Sequence, residues 1–416
     1  MEDAFKQLNL THLNGFIKEM KFKAPTEVQK KIIPLILNGE SILVSAPTGS
    51  GKTLTFAMPL VEMFKASEKQ LNLDSSAPYA VILAPTRELA IQIHSIFKSL
   101  AHHGKIRSRL LIGGVKSKGT KESLRGPIDF LITVPGRFLS CLKKDEVKLS
   151  RLNHLVLDEA DQFFDLGFKR EMGDIWAQID KETTQLSLFS ATKPKDFEEK
   201  VLAIFEEAIV KSIDVGGKNI ITKEIDTFNV MLHEGEKKEM LNALLKERAR
   251  GTGIIFANRK EKVEEVFDNI KDQVGSRNIH ILHGGMQTRE RNKAFKSFVK
   301  DKGLLICTDV AARGIDMKEV GWVLNYDLPV WSVYYIHRCG RAGRGGTKGF
   351  VVNFVTPKES HLLDGINQAI KNQSALKLDL LKKRAGTQKS KSSKKNKKAP
   401  IAKKKARKNT PRYKRK

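Results

Sequence analysis

The sequence predicts an α/β protein with two open parallel-sheet domains in tandem, followed by a disordered basic tail. Three observations lead there. Short apolar runs rich in Val, Ile and Leu alternate with longer stretches of helical period, and the runs form two series with a polar break between them. Such runs suit strands buried on both faces of a parallel sheet, with helices as the crossovers. The 416 residues are enough for two domains, each able to bury its own core. The final stretch, Lys382–Lys416, holds 18 Lys and Arg in 35 residues and no acid.

The first series of runs is Ser41–Ala46, Ala80–Pro85, Arg109–Gly114, Asp129–Pro135, His154–Asp158 and Gln185–Ser190. It defines a first domain over residues 1–211. The break that follows, with Gly216-Gly217 among polar residues, reads as a linker over 212–226. The second series is Thr227–His233, Gly253–Ala257, Ile279–His283, Leu304–Thr308, Trp322–Asn325 and Phe350–Val355, and it defines a second domain over 227–372. In open sheets of this kind ligands bind at the carboxyl ends of the strands. Beyond Leu381 the apolar periodicity stops and Lys, Ser, Asn and Ala dominate. No core forms from that composition, so residues 373–416 are expected to be a disordered tail.

The net charge is +28, of which the tail supplies +18, leaving 28 − 18 = +10 for the rest. A modestly basic body with a polybasic tail points to an anionic polymer as partner, most often nucleic acid. The start, MEDAFKQL, lacks the charged-then-apolar order of a secretory signal. No apolar run approaches the roughly 20 residues of a membrane span, and a cytoplasmic protein is expected. Cys141, Cys307 and Cys339 have no metal-ligand or redox spacing, which suits reduced, buried thiols.

The first strand runs directly into Ala46-Pro47-Thr48-Gly49-Ser50-Gly51-Lys52-Thr53. Gly49 and Gly51 allow the backbone to fold so that its N–H groups converge on phosphate oxygens. Lys52 then reaches the β and γ phosphates, and the Thr53 hydroxyl can bind Mg²⁺. The next helix offers its positive N-terminal end. A nucleotide site also needs an acid for the metal and a base for water. The apolar strand His154-Leu155-Val156-Leu157 ends in Asp158-Glu159-Ala160-Asp161. Asp158 can hold Mg²⁺ through water, and Glu159 beside it is suited to orient and deprotonate the attacking water.

These residues resemble the DEAD-box RNA helicase family, whose name Asp158–Asp161 spells. The resemblance covers about residues 5–372 and runs through many motifs in order. It implies two RecA-like domains that bind ATP and RNA across the cleft between them. Pro85-Thr86-Arg87-Glu88-Leu89-Ala90, Gly113-Gly114 and Val134-Pro135-Gly136-Arg137 look like the family's RNA-contacting elements of the first domain. Ser190-Ala191-Thr192 is similar to the motif that couples hydrolysis to strand separation. Ile254–Asn258, Thr308–Asp316 and His337–Arg344 resemble motifs IV, V and VI. Phe22-Lys23-Ala24-Pro25-Thr26-Glu27-Val28-Gln29 looks like the adenine-reading element, with Phe5 as its isolated upstream aromatic. An amide presents a donor and an acceptor together, so Gln29 can match adenine while Phe5 or Phe22 packs near the base.

The resemblance implies further roles. Arg341 and Arg344 would reach the γ-phosphate from the second domain, where an arginine finger is worth about 10³–10⁵ in rate. Asp316 would face the ribose. Asp161 and His337 would couple the γ-phosphate region to Ser190 and Thr192. RNA would lie along Arg87, Gly113, Gly114, Arg137, Arg259, Gly285 and Thr308, chiefly through phosphate and 2′-OH groups, with little sequence preference. A compact core with only a basic tail resembles bacterial members that act in ribosome assembly or RNA turnover. The same motifs serve either a short-range helicase or an ATP-gated RNA clamp. The departures are small: Lys21 for a usual Gly, Val134 for a usual Thr, Thr288 for a usual Gln and Ala342 for a usual Thr. The Val134 difference puts one phosphate contact in doubt.

Overall fold

The computed structural model describes residues 3–47, 49–68, 75–113, 124–191, 196–215, 225–272, 278–309, 320–329, 332–343 and 349–363. Its first sheet is built from β1 (Ile42–Ser45), β2 (Ala80–Leu83), β3 (Ser108–Leu111), β4 (Phe130–Thr133), β5 (His154–Leu157), β6 (Gln185–Ser190) and β7 (Lys211–Asp214). The spatial order is β3-β4-β2-β5-β6-β1-β7, and every pairing is parallel. Successive residues of these strands feed two different cores. Ile42, Val44, Ile82, Ile132, Val156 and Phe189 join the cluster under the helices Glu27–Leu37, Lys52–Ser67 and Arg87–Gly104. Leu43, Val81, Leu83, Leu131, Leu155 and Leu188 join the cluster on the opposite face, under Pro135–Leu142, Lys169–Trp176 and Phe197–Leu202. Side chains alternate across a strand, so an unbroken apolar run is what a sheet covered on both faces requires.

The second sheet holds β8 (Ile225–Met231), β9 (Gly253–Phe256), β10 (Ile279–Leu282), β11 (Leu304–Cys307), β12 (Trp322–Asn325) and β13 (Gly349–Val355), in the order β10-β11-β9-β12-β13-β8. It too is all parallel. Trp322 is fully buried, and its indole N–H donates to Arg250 O at 3.1 Å. A Cβ on Gly253 would lie 2.0 Å from that ring, which is why the neighbouring strand carries glycine there.

One boundary differs from the sequence reading. The expected linker 212–226 contains most of β7, which pairs with β1 from Ile42↔Lys211 to Ser45↔Asp214. The first sheet therefore extends to Asp214, and β8 begins at Ile225. β7 is an edge strand whose residues are exposed or half-buried, so it lacks the apolar run that marks the central strands. The tail 373–416 lies outside the described residues.

Candidate nucleotide and RNA site

In a parallel sheet all carboxyl ends share one edge, and the candidate residues follow directly after those ends. Ala46 N–H donates to Ser190 O at 3.0 Å, joining the phosphate loop to the end of β6. Gly49 and Gly51 take left-handed φ angles of 79° and 89°, a region where a side chain would be strained. Lys52 opens the helix Lys52–Ser67 and is 9% exposed. Its Nζ donates to Ala46 O at 2.6 Å and Pro47 O at 3.0 Å, so the loop's own carbonyls hold the cation expected to reach phosphate.

Thr53 Oγ1 donates to Asp158 Oδ2 at 3.4 Å, which brings the two expected metal residues together. Asp158 is 3% exposed. Burial first, then the neighbouring Glu159 charge, pushes its carboxyl up to about 7. The backbone turns sharply after β5. Glu159 takes φ 53° and ψ 51°, left-handed for a non-glycine residue, at a cost of roughly 1–2 kcal/mol. Gln162 Nε2 donates to the Glu159 carboxylate. Among the described residues no group of three or more His, Cys, Asp or Glu could hold a metal ion.

Gln29 is 5% exposed. It closes a capping box: Thr26 N–H donates to its Oε1 at 2.9 Å while its own N–H donates to Thr26 Oγ1. A carbonyl oxygen accepts twice, so the amide keeps one acceptor position as well as its NH₂. A Cβ on Gly51 would lie 3.0 Å from Gln29 Nε2, which sets this amide against the phosphate loop. Phe5 is buried, and Phe22 stacks beside it with ring centroids 6.2 Å apart. Of the two aromatics, the half-buried Phe22 keeps surface for a base.

On the expected RNA side, Arg87 follows β2, Gly113 follows β3 and Arg137 follows β4. A Cβ on Gly113 would lie 2.8 Å from Arg87 Nη2, so this glycine makes room for the guanidinium. In the second sheet Arg259 follows β9 and caps the helix Lys260–Ile270 with extended backbone. Gly285 follows β10, its N–H donating to His283 Nδ1 at 3.3 Å. Thr308 follows β11, its N–H donating to Leu282 O. Thr48, Gly114, Thr192, Asp316 and Arg344 lie outside the described residues.

Two side-chain pairs join the edges of the two sheets. His337, in the helix Ser332–Cys339, places Nε2 3.5 Å from Asp161 Oδ2, with the side chains 8% and 1% exposed. Arg291 Nη2 lies 2.9 Å from Glu88 Oε1, in the helix that starts at Arg87. Arg341 is 4% exposed, and its Nε donates to His337 O at 3.2 Å. Arg338 is a buried anchor that its sequence context does not announce. It is 1% exposed and grips Asp309 through Nε and Nη2, Asn258 Oδ1 at 2.8 Å and Asp327 O at 2.7 Å. Inside an Arg-rich Gly-containing segment, one arginine gives no sign that it faces inward.

Family comparison decides what this edge belongs to. Residues 26–200 match the DEAD/DEAH box helicase family, and residues 236–346 match the helicase conserved C-terminal domain. ATP-dependent RNA helicase DbpA of Bacillus subtilis is 33% identical over 368 residues, covering 88% of this chain and 74% of the relative. The chain belongs to the DEAD-box ATP-dependent RNA helicases. Helicobacter pylori RhpA, a DEAD-box ATP-dependent RNA helicase, is also 33% identical, over 82% of this chain and 67% of its own length. Some relatives are much longer: the chain spans 38% of human ATP-dependent RNA helicase DDX42. Among solved structures, the fold resembles Mss116p bound to single-stranded RNA and AMP-PNP, with TM-score 0.79 and 27% identity over 91% of this chain and 78% of that one. It also resembles S. cerevisiae Dbp5 bound to RNA and ADP BeF3, with TM-score 0.77 and 29% identity over 89% and 94%. The two parallel sheets are thus the RecA-like pair of a DEAD-box helicase, an ATP-hydrolysing, RNA-binding enzyme. No helix among the described residues is long and apolar enough to cross a membrane.

Proposed function

We propose that this DEAD-box helicase couples RNA-stimulated ATP hydrolysis to local, non-processive separation of short RNA duplexes. The observation that carries this reading is the His337–Asp161 contact at 3.5 Å, which joins the motif VI helix of the second sheet to the acidic cluster after β5. A link between those two elements lets the state of the γ-phosphate bias how the two halves close.

Gln29 and Phe22 would read adenine, and the phosphate loop 46–53 would cradle the phosphates. Lys52 would leave its loop carbonyls for the β and γ oxygens. Thr53 and Asp158 would hold Mg²⁺ partly through water, and the metal would supply charge neutralisation for phosphoryl transfer. Glu159 would take the proton of the attacking water. Arg341 and Arg344 would stabilise the developing charge from the second domain. RNA would run along Arg87, Gly113, Arg137, Arg259, Gly285 and Thr308. That Dbp5 is bound to RNA and ADP BeF3, and Mss116p to single-stranded RNA and AMP-PNP, supports the reading that RNA and nucleotide are held together. Closure that bends one strand expels its partner over a few pairs, at roughly 1.4 kcal/mol per step by analogy with DNA. The reading extends to a cytoplasmic enzyme acting in ribosome assembly or RNA turnover, with the tail Lys382–Lys416 tethering RNA.

The test pairs a multiple-turnover ATPase assay with displacement of a short RNA duplex, on the parent and on Glu159→Gln. The parent is expected to hydrolyse ATP faster with RNA and to release the strand. Glu159→Gln is expected to bind ATP nearly as well, lose turnover and hold RNA longer. Normal steady-state hydrolysis by the variant would remove Glu159 from its role. RNA-stimulated hydrolysis without displacement would identify an ATP-gated clamp instead.

A further inference from the structure

The second domain contains a buried polar chain that the reaction just described does not use. Asn325 on β12, Asn353 on β13 and Asn229 on β8 occupy matching register on three neighbouring strands. Each is at most 1% exposed. Amides this deep are costly wherever a hydrogen bond goes unmade.

The direction of the chain is fixed at one end. A guanidinium only donates. Arg338 Nη1 donates to Asn325 Oδ1 at 3.0 Å, so Asn325 must turn its nitrogen to the next strand. Its Nδ2 donates to Asn353 Oδ1 at 2.7 Å. Asn353 in turn donates through Nδ2 to Asn229 Oδ1 at 2.7 Å and to Tyr335 Oη at 2.9 Å. A series that starts from a cation and runs one way polarises each successive bond.

This chain meets the helix Ser332–Cys339 twice. Tyr335 and Arg338 are three residues apart and share a helix face, and the ladder holds both. The helix is therefore pinned in rotation, with His337 between the two anchors. The same guanidinium grips Asp309, next to Thr308, and Asn258, next to Arg259.

We propose that Asn353 is a positioning residue for the RNA-dependent part of the reaction. Through Asn325 and Arg338 it fixes the seats of Thr308, Arg259 and His337. The inference rests on the reading of Thr308 and Arg259 as RNA contacts. Asn353→Leu keeps the branched heavy-atom outline, adds methyl bulk, and removes all three of the side chain's hydrogen bonds. Tyr335→Phe removes only one of them.

The experiment uses the full chain, a poly(U) oligonucleotide and ATP. The parent comes first: no RNA stimulation there would remove the RNA reading and this inference with it. Given a stimulated parent, Asn353→Leu is expected to raise the half-saturating RNA concentration about tenfold, the effect of losing one well-made hydrogen bond. Its RNA-saturated kcat should fall as well, while the ATP dissociation constant stays at the parental value. Tyr335→Phe should move the same two quantities in the same direction by less, and it carries the test if the leucine variant fails to fold. A merely structural role would lower the Tm alone. Parental kcat and RNA half-saturation in the folded variants, measured well below their Tm, would overturn the proposal.

Discussion

A carboxylate that is 3% exposed, with a second carboxylate next to it in sequence, resists ionisation. Asp158 accordingly titrates near 7 in the folded chain, against an ordinary value of 3.8. Its folded pKa is raised, so the stability it contributes is full below the unfolded value and is lost as pH rises through about 7. Asp158→Asn removes that loss. In nucleotide-free protein with a chelator present, the variant's Tm is expected to exceed the parent's by an amount that grows from about pH 4 to about pH 7 and then levels off. The corresponding free-energy difference is bounded at about 4 kcal/mol. A Tm difference that does not change with pH, followed by calorimetry, would contradict this. That Lys52, Thr53 and Asp158 gather at one sheet edge is legible in the sequence, because a Gly-rich loop follows one strand and an acid follows another. Arg338 and Asn353 are not. A buried arginine and a buried asparagine acquire meaning only through partners far away in sequence, and each looks locally like a solvated side chain.

Helices and strands were read well where both faces are buried, because apolar runs and helical periods report burial directly. The edge strand Lys211–Asp214 escaped for the same reason: its residues face solvent or are half-covered. The Glu88–Arg291 pair was also illegible, since nothing local to either helix announces the other. Those side chains are 12% and 17% exposed, so breaking the pair leaves one charge partly desolvated. Glu88→Arg is expected to raise the RNA concentration for half-maximal ATPase by roughly tenfold, about 1.4 kcal/mol, within the range for coupled neighbouring residues. ATP affinity should change little, since neither residue is among those proposed to hold the nucleotide. Combining Glu88→Arg with Arg291→Glu should recover much of the loss. A double variant no better than the worse single one would show that the pair does not contribute to closure.

At the scale of the whole chain, charge divides unevenly, with 18 of the Lys and Arg in Lys382–Lys416. A polycation gains affinity by releasing counterions from phosphates, independent of sequence, and it keeps the body close to its RNA between rounds. Removing Lys382–Lys416 should therefore raise the RNA needed for half-maximal ATPase and flatten the plot of log affinity against log salt. The maximal rate at saturating RNA should barely move, because no motif residue is deleted. Unchanged half-saturation and salt slope would end the tethering idea. The apolar clusters divide at the same place as the sheets: two lie entirely within residues 5–215, and the third lies within 225–363. The His337–Asp161 contact and the Arg291–Glu88 ion pair bridge the halves. A junction made through polar side chains removes little hydrocarbon from water, and hydrocarbon removal is the main source of a heat-capacity decrement. To the extent that these pairs carry closure, its enthalpy should stay nearly constant with temperature while its cost rises with salt, which calorimetry at several temperatures and salt concentrations would check.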